Sequence, residues 1–202
     1  MNLEKFRELS WADFFLYSLL DPRALYRRIK QKDPDSFLMS FIVPAAVALS
    51  DILVISLLGK QSGFFYYKIS YGWILVFLYT ILKVIVYASM MDMVAQFFGH
   101  KGNIRELIIL VNFAMLPELF LLPALYPFIV MNFVASFFYV LFSIIFFIWH
   151  VLILIQGISE MHTIDFGKSF VIFILPAVIT GIILFLIFIM LVITLFGYIA
   201  GL

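Results

Sequence analysis

Five ionisable side chains stand inside otherwise apolar stretches of this 202-residue sequence: Asp51, Lys83, Asp92, Glu118 and His150. A charge placed in hydrocarbon costs about 2.5–3.5 kcal/mol or more, so such residues mark a function or a partner by default. A layer of carboxylates with a lysine can relay protons or bind an ion. It can also be a structural ion pair that fixes helix register, with the surplus carboxylate held protonated. Lys83 and Asp92 are nine residues apart, half a turn out of phase on one helix, so they cannot pair with each other. The expected pairs are Lys83 with Glu118 or Asp51, and Asp92 with His150. Glu118 also follows Pro117, with Pro123 and Pro127 downstream. A proline-broken helix beside a carboxylate is how many transporters expose backbone at a substrate site, although ordinary spans carry prolines too.

Other chemistries lack their residues. The sequence has no cysteine, which excludes disulfides, thiolate metal sites and cysteine nucleophiles. His100, His150 and His162, with Glu160 and Asp165, show no H-x3-H or H-E-x-x-H spacing, so no metal and no cofactor is expected. A nucleophile elbow, a P-loop and a glycine-rich dinucleotide turn are all missing. An enzyme is not expected; one acting on lipid would have only Asp92, His150, Glu160 and His162 to draw on. Thirteen Lys+Arg against twelve Asp+Glu leave a net charge of +1, without the basic field that nucleic acid requires.

The elements that position these residues follow from composition. Hydrophobic residues make up 65% and charged residues 12%, with a mean hydropathy of +1.16; soluble domains run nearer half and a quarter. The chain is therefore an integral membrane protein. A span needs about 20 apolar residues to cross ~30 Å of hydrocarbon. The expected fold is all-α: a polytopic membrane helix bundle of about five transmembrane helices, with a short N-terminal interfacial helical segment over 1–36. The spans are expected at 37–58, 73–98, 107–130, 133–156 and 169–198, joined by polar loops at 59–72, 99–103 and 157–168. The third-to-fourth reversal is expected between Pro123 and Asn132, and Pro176 is expected to kink the last span. The first apolar run, Phe14 to Leu20, lies between Asp13 and Asp21 and lacks signal-peptide order.

With the N-terminus cytoplasmic, ten of the thirteen Lys and Arg fall on the inner side, Lys60 and Lys68 fall outside, and Lys83 lies in the membrane. The positive-inside rule selects that orientation, with the C-terminus outside or lumenal. At 1.5 Å per residue, Asp51, Lys83 and Glu118 then lie ~20 Å from the cytoplasmic end and Asp92 and His150 ~9 Å, giving two polar layers.

Residues 21–30 read as a short helix with Asp21 at the N-cap and Pro22 at N1. Leu25 and Ile29 share one face, while Arg23, Arg27, Arg28 and Lys30 are available to anionic lipid headgroups or a protein partner, each worth about 1 kcal/mol near an anionic leaflet. The same charges also serve simply as topology signal and interfacial anchor. Phe6, Trp11, Phe14 and Phe15 suggest a second surface helix. Gly197/Gly201 and Ala177/Gly181 have the small-x-x-x-small spacing of close helix contacts, the basis for a homo-oligomer expectation.

Gly99-His100-Lys101-Gly102-Asn103-Ile104-Arg105-Glu106-Leu107, Ala114-Met115-Leu116-Pro117, Trp149, Gly157-Ile158-Ser159-Glu160-Met161-His162, Gly167-Lys168 and Leu175-Pro176 occur in an order and spacing that resembles the Yip domain family, the Rab/Ypt-interacting five-span membrane proteins. The resemblance covers roughly residues 22–195. It implies a membrane organiser without enzymatic activity, and it marks Gly99, Gly102, Glu106, Pro117, Gly157 and Glu160 as the family-like positions. About 36 residues precede the first span, fewer than in the Rab-binding members, which points to a prokaryotic-type member.

Two functions are therefore weighed. The first is a non-enzymatic scaffold that binds lipids or protein partners through its cytoplasmic face. The alternative is a small transporter or ion- or proton-conducting protein using Asp51, Lys83 and Glu118; against it, five spans show no clear inverted repeat and no polar stripe lines a pore.

Overall fold

The computed structural model describes residues 11–31, 35–59, 64–131 and 133–199, and the described residues contain helices and no strand. The helices are α1 (Trp11–Leu20), α2 (Pro22–Gln31), α3 (Asp35–Ser40), α4 (Ile42–Leu58), α5 (Phe64–Phe97), α6 (Ile104–Ala114), a 3₁₀ segment (Leu116–Phe120), α7 (Leu121–Val130), α8 (Ala135–His162) and α9 (Phe166–Ile199). Together they supply five stretches long and apolar enough to cross a membrane. The protein is an all-α, multi-pass integral membrane protein. Proline accounts for the break between α3 and α4: Pro44 has no N–H for the Ser40 carbonyl, and Phe41 instead closes a tighter turn onto Leu38.

The third span is the hub. Its apolar window is 67% buried, against 0% for the fifth, and α6 packs against α2, α3, α5 and α8. Its core face carries Leu107, Leu110, Phe113 and Ala114, which meet Ala88 and Met91 of α5 and Ile155 and Ile158 of α8 in one apolar cluster. Among the described residues α9 packs mainly against α5 and α8; beyond Ala177 most of its large apolar side chains are exposed, as a lipid-facing helix requires.

The third span, expected over 107–130, runs over 104–130 and is broken at the proline beside Glu118. Pro117 interrupts it, Glu118 donates its N–H to Met115 at 3.0 Å, and the backbone tightens to 3₁₀ winding before α7 resumes. Pro127, by contrast, sits inside α7. The reversal comes after Val130 and ends at Val134, whose φ of +40° is a costly left-handed conformation for a β-branched residue, worth about 1–3 kcal/mol.

Two expected loops are partly helical. α5 begins at Phe64, inside the loop expected over 59–72, and α8 continues through Gly157 to His162. The 28 residues of α8 span ~42 Å, longer than the ~30 Å hydrocarbon core. Hydropathy therefore marks where the oil ends, while the helix runs on to Thr163, a left-handed residue at φ +52° whose N–H caps Ser159. The connection to α9 is only Thr163 to Asp165.

Candidate functional site

One end of the bundle gathers α2, the 98–103 turn, the start of α6, the end of α8 and the start of α9. Arg23, Arg27, Arg28, Lys101, Arg105 and Lys168 all lie on these elements; this is the basic end. Asp21 caps α2, its Oδ1 accepting from the Ala24 N–H at 3.1 Å. The 3.6-residue repeat places Leu25 and Ile29 on one face, where both are buried against α6 and α8. Two polar latches fix the helix across the bundle. Tyr26 donates its hydroxyl to Glu106 at 2.7 Å, and Arg27 Nε donates to Glu160 at 2.8 Å. Burial, then the Glu106 carboxylate, push the Tyr26 phenol well above its usual range, and Glu160 raises the Arg27 guanidinium. Arg23 stays exposed, and Arg28 stacks over the Tyr17 ring at 5.6 Å. The Lys30 side chain lies outside the described residues.

The 98–103 turn is built on two glycines. Gly99, at φ +82°, ends α5: its N–H bonds the Gln96 carbonyl, and that of His100 bonds Ala95. At Gly102 a Cβ would lie 2.3 Å from Gln96 Nε2 and 2.6 Å from Asp92 Oδ2, so any side chain there would have to displace both. Asp92, 8% exposed, accepts from the Asn103 N–H at 2.8 Å and from Gln96 at 2.7 Å. Asn103 in turn caps α6 at the Glu106 N–H. The carboxylate of Asp92 thus belongs to the turn.

That arrangement corrects the expected Asp92–His150 pair. His150 instead bonds Glu118, Nδ1 to Oε1, at 2.5 Å. The cause is the extra length of α8. Counted from His162, His150 lies ~18 Å from the basic end, level with Glu118 at ~21 Å from Ile104, while Asp92 is only ~8 Å from Phe97. The expected Lys83 partnership is not formed either: among the described residues Lys83 has no ion pair or hydrogen bond. Asp51 and Glu118 line one cavity of about 480 Å³, and Lys83, Glu118 and His150 line a second of about 330 Å³. The 3₁₀ segment thus gathers the polar side chains about Glu118.

Gly157 serves packing: a Cβ there would lie 2.4 Å from Leu110 Cδ1, so the absent side chain lets α8 and α6 approach closely at this crossing. The rings of His100 and His162 are 5.3 Å apart. Among the described residues no three His, Asp or Glu groups are placed to hold a metal ion.

Several uncharged polar residues that sequence reasoning passed over tie the helices together. Ser18 Oγ donates to the Phe113 carbonyl at 2.7 Å. Asn112, fully buried, donates to Ser40 at 2.8 Å, and Tyr87 donates to the Phe173 carbonyl at 2.6 Å. Asn112 could have been found, since an amide inside an apolar span must seek a partner.

The model of the Yip1 domain family matches residues 16–189, which takes in α2, the turns at 98–103 and 163–165, the first four spans and most of the fifth. No curated protein and no solved structure matches the chain.

Proposed function

Because the chain belongs to the Yip1 domain family, we propose that it is a non-enzymatic membrane organiser whose working surface is the basic end, facing the cytoplasm. One observation carries this reading: α2 lies across the ends of α6 and α8, held by Tyr26–Glu106 and Arg27–Glu160. A helix so fixed presents its basic face as part of the bundle rather than as a loose tail. Anionic headgroups are the partners that Arg23, Arg27 and Arg28 suit, and a protein partner would meet the same surface. The Lys and Arg asymmetry supports the cytoplasmic placement.

The test is lipid selectivity of the reconstituted full chain, read by tryptophan quenching from brominated anionic and zwitterionic lipids. The parent should prefer the anionic lipid, and replacing Arg23, Arg27 and Arg28 together by Gln should lower that preference about threefold or more. Equal quenching by both lipids in the parent would overturn the reading. Ion or proton flux abolished by Glu118→Gln would replace it with a transporter.

A further inference from the structure

Lys83 lies ~21 Å along α5 from its Phe97 end, close to mid-span. Its side chain is exposed on the helix surface and makes no hydrogen bond or ion pair with any described residue, although Asp51 lies near enough to feel its charge. A cation in that position needs an acceptor. The cavity it lines, about 330 Å³ between α5, α6, α8 and α9, lies in the range of small-molecule sites, ~300–1,000 Å³. Its other polar groups are engaged: Glu118 with His150, and the Tyr87 hydroxyl with the Phe173 carbonyl. The remaining lining, including Val111, Leu154 and Ile174, is apolar. Asp51 lines the neighbouring cavity and lies beyond ion-pair distance of Lys83.

We propose that this cavity binds a single-chain amphiphile with a carboxylic acid headgroup, the acid on Lys83 and the chain along the apolar wall. Depth selects the class. A phospholipid would have to carry a permanently ionised phosphodiester to mid-membrane, at a cost its chain contacts do not offset. A carboxylic acid reaches that depth in neutral form and forms a hydrogen-bonded pair with the lysine whichever of the two holds the proton. The inference does not depend on the basic end acting as the working surface.

The experiment is photolabelling of the full chain in nanodiscs with a diazirine analogue of palmitic acid and, in parallel, with its methyl ester, followed by mapping of the labelled residues. The acid should label Val111 and Leu154 saturably, about tenfold more than the ester, and unlabelled palmitate should compete. Lys83→Met should remove that preference and Lys83→Arg should keep it. Equal labelling of these residues by acid and ester in the parent would overturn the proposal, as would acid labelling confined to the lipid-facing half of α9. The comparison of headgroups on the parent needs no variant, so it decides the matter even where Lys83→Met fails to fold.

Discussion

The Ser18 hydroxyl bonds the carbonyl of Phe113, the residue four positions before Pro117. In an unbroken helix that carbonyl would accept from the N–H of residue 117, which proline lacks. The first helix of the chain thus supplies a donor that the third span has lost. Phe14 stacks on the Phe113 ring at 5.6 Å beside the same joint, and Phe15 meets it edge-on at 6.2 Å. α1 is therefore an integral part of the bundle, and the break that positions Glu118 is stabilised by a residue about a hundred positions away.

Ser18→Ala should accordingly destabilise the protein by about 1 kcal/mol, the loss of one buried hydrogen bond to a carbonyl that keeps the Met115 N–H as its other donor. In a Pro117→Ala background, where an N–H is restored, the same substitution should cost clearly less. Thermal unfolding in detergent over the four-protein cycle measures this coupling, and additivity would show that Ser18 and Pro117 act separately.

Glu118 and His150 form the mid-membrane pair, so removing one should leave the other uncompensated. Glu118→Leu should cost up to about 3 kcal/mol, toward the low end for breaking a buried pair because both side chains keep some exposure. Exchanging charges between Lys83 and Glu118 should not restore folded yield, whereas Glu118→Leu with His150→Leu should recover much of the single loss. Rescue by the Lys83 exchange would identify Lys83 as the true partner.

These residues show what was legible in the chain and what was not. Five apolar stretches, the polar residues inside them and the Asp21–Pro22 start of α2 are local features, written in composition and spacing. Partnership is not local. Hydropathy stops near Gln156 and so puts His150 ~9 Å deep, but the helix continues to His162 and carries it one layer deeper. Pro117 announced a break, yet the resulting direction of Glu118 depends on 3₁₀ winding that no periodicity encodes. Ser18, Asn112 and Tyr87 leave little trace in the sequence because uncharged polar side chains hardly disturb an apolar average, although each ties two helices together.

Asp92 makes a prediction about the turn rather than about ion chemistry. Asp92→Ala removes the acceptor for the Asn103 N–H and for Gln96, and should speed amide exchange across residues 98–103 while leaving α9 unaffected. Loss of the backbone bond alone is worth about 1–3 kcal/mol. Gly102→Ala should act on the same amides, since its Cβ would collide with the Asp92 carboxylate. Unchanged exchange in both variants would separate Asp92 from the turn.

Gly157→Ala should destabilise by about 1–3 kcal/mol, because the added methyl meets Leu110, a fully buried side chain that must shift to admit it. Leu110→Ala opens a cavity and is costly alone. Combined with Gly157→Ala, however, it should cost less than the two single losses added together. Unfolding midpoints of the four proteins give the coupling, and strict additivity would mean that α6 and α8 yield at this crossing.

The latch of α2 carries an alkaline signature. Burial and Glu106 raise the Tyr26 phenol above the ordinary value of 10.0, so the folded state holds its proton where the unfolded chain releases it. The resulting stability is fully present below pH 10 and is lost as pH rises above it toward the folded value. Tyr26→Phe removes both the proton and the bond to Glu106. The variant should therefore unfold more readily at neutral pH, by about 1 kcal/mol, and lose stability less steeply above pH 10 than the parent. Tyrosine absorbance followed on raising the pH should show one phenol fewer among the late-ionising class in Tyr26→Phe. If the number of late-ionising tyrosines were the same in both proteins, Tyr26 would be open to water and α2 would not be latched to α6.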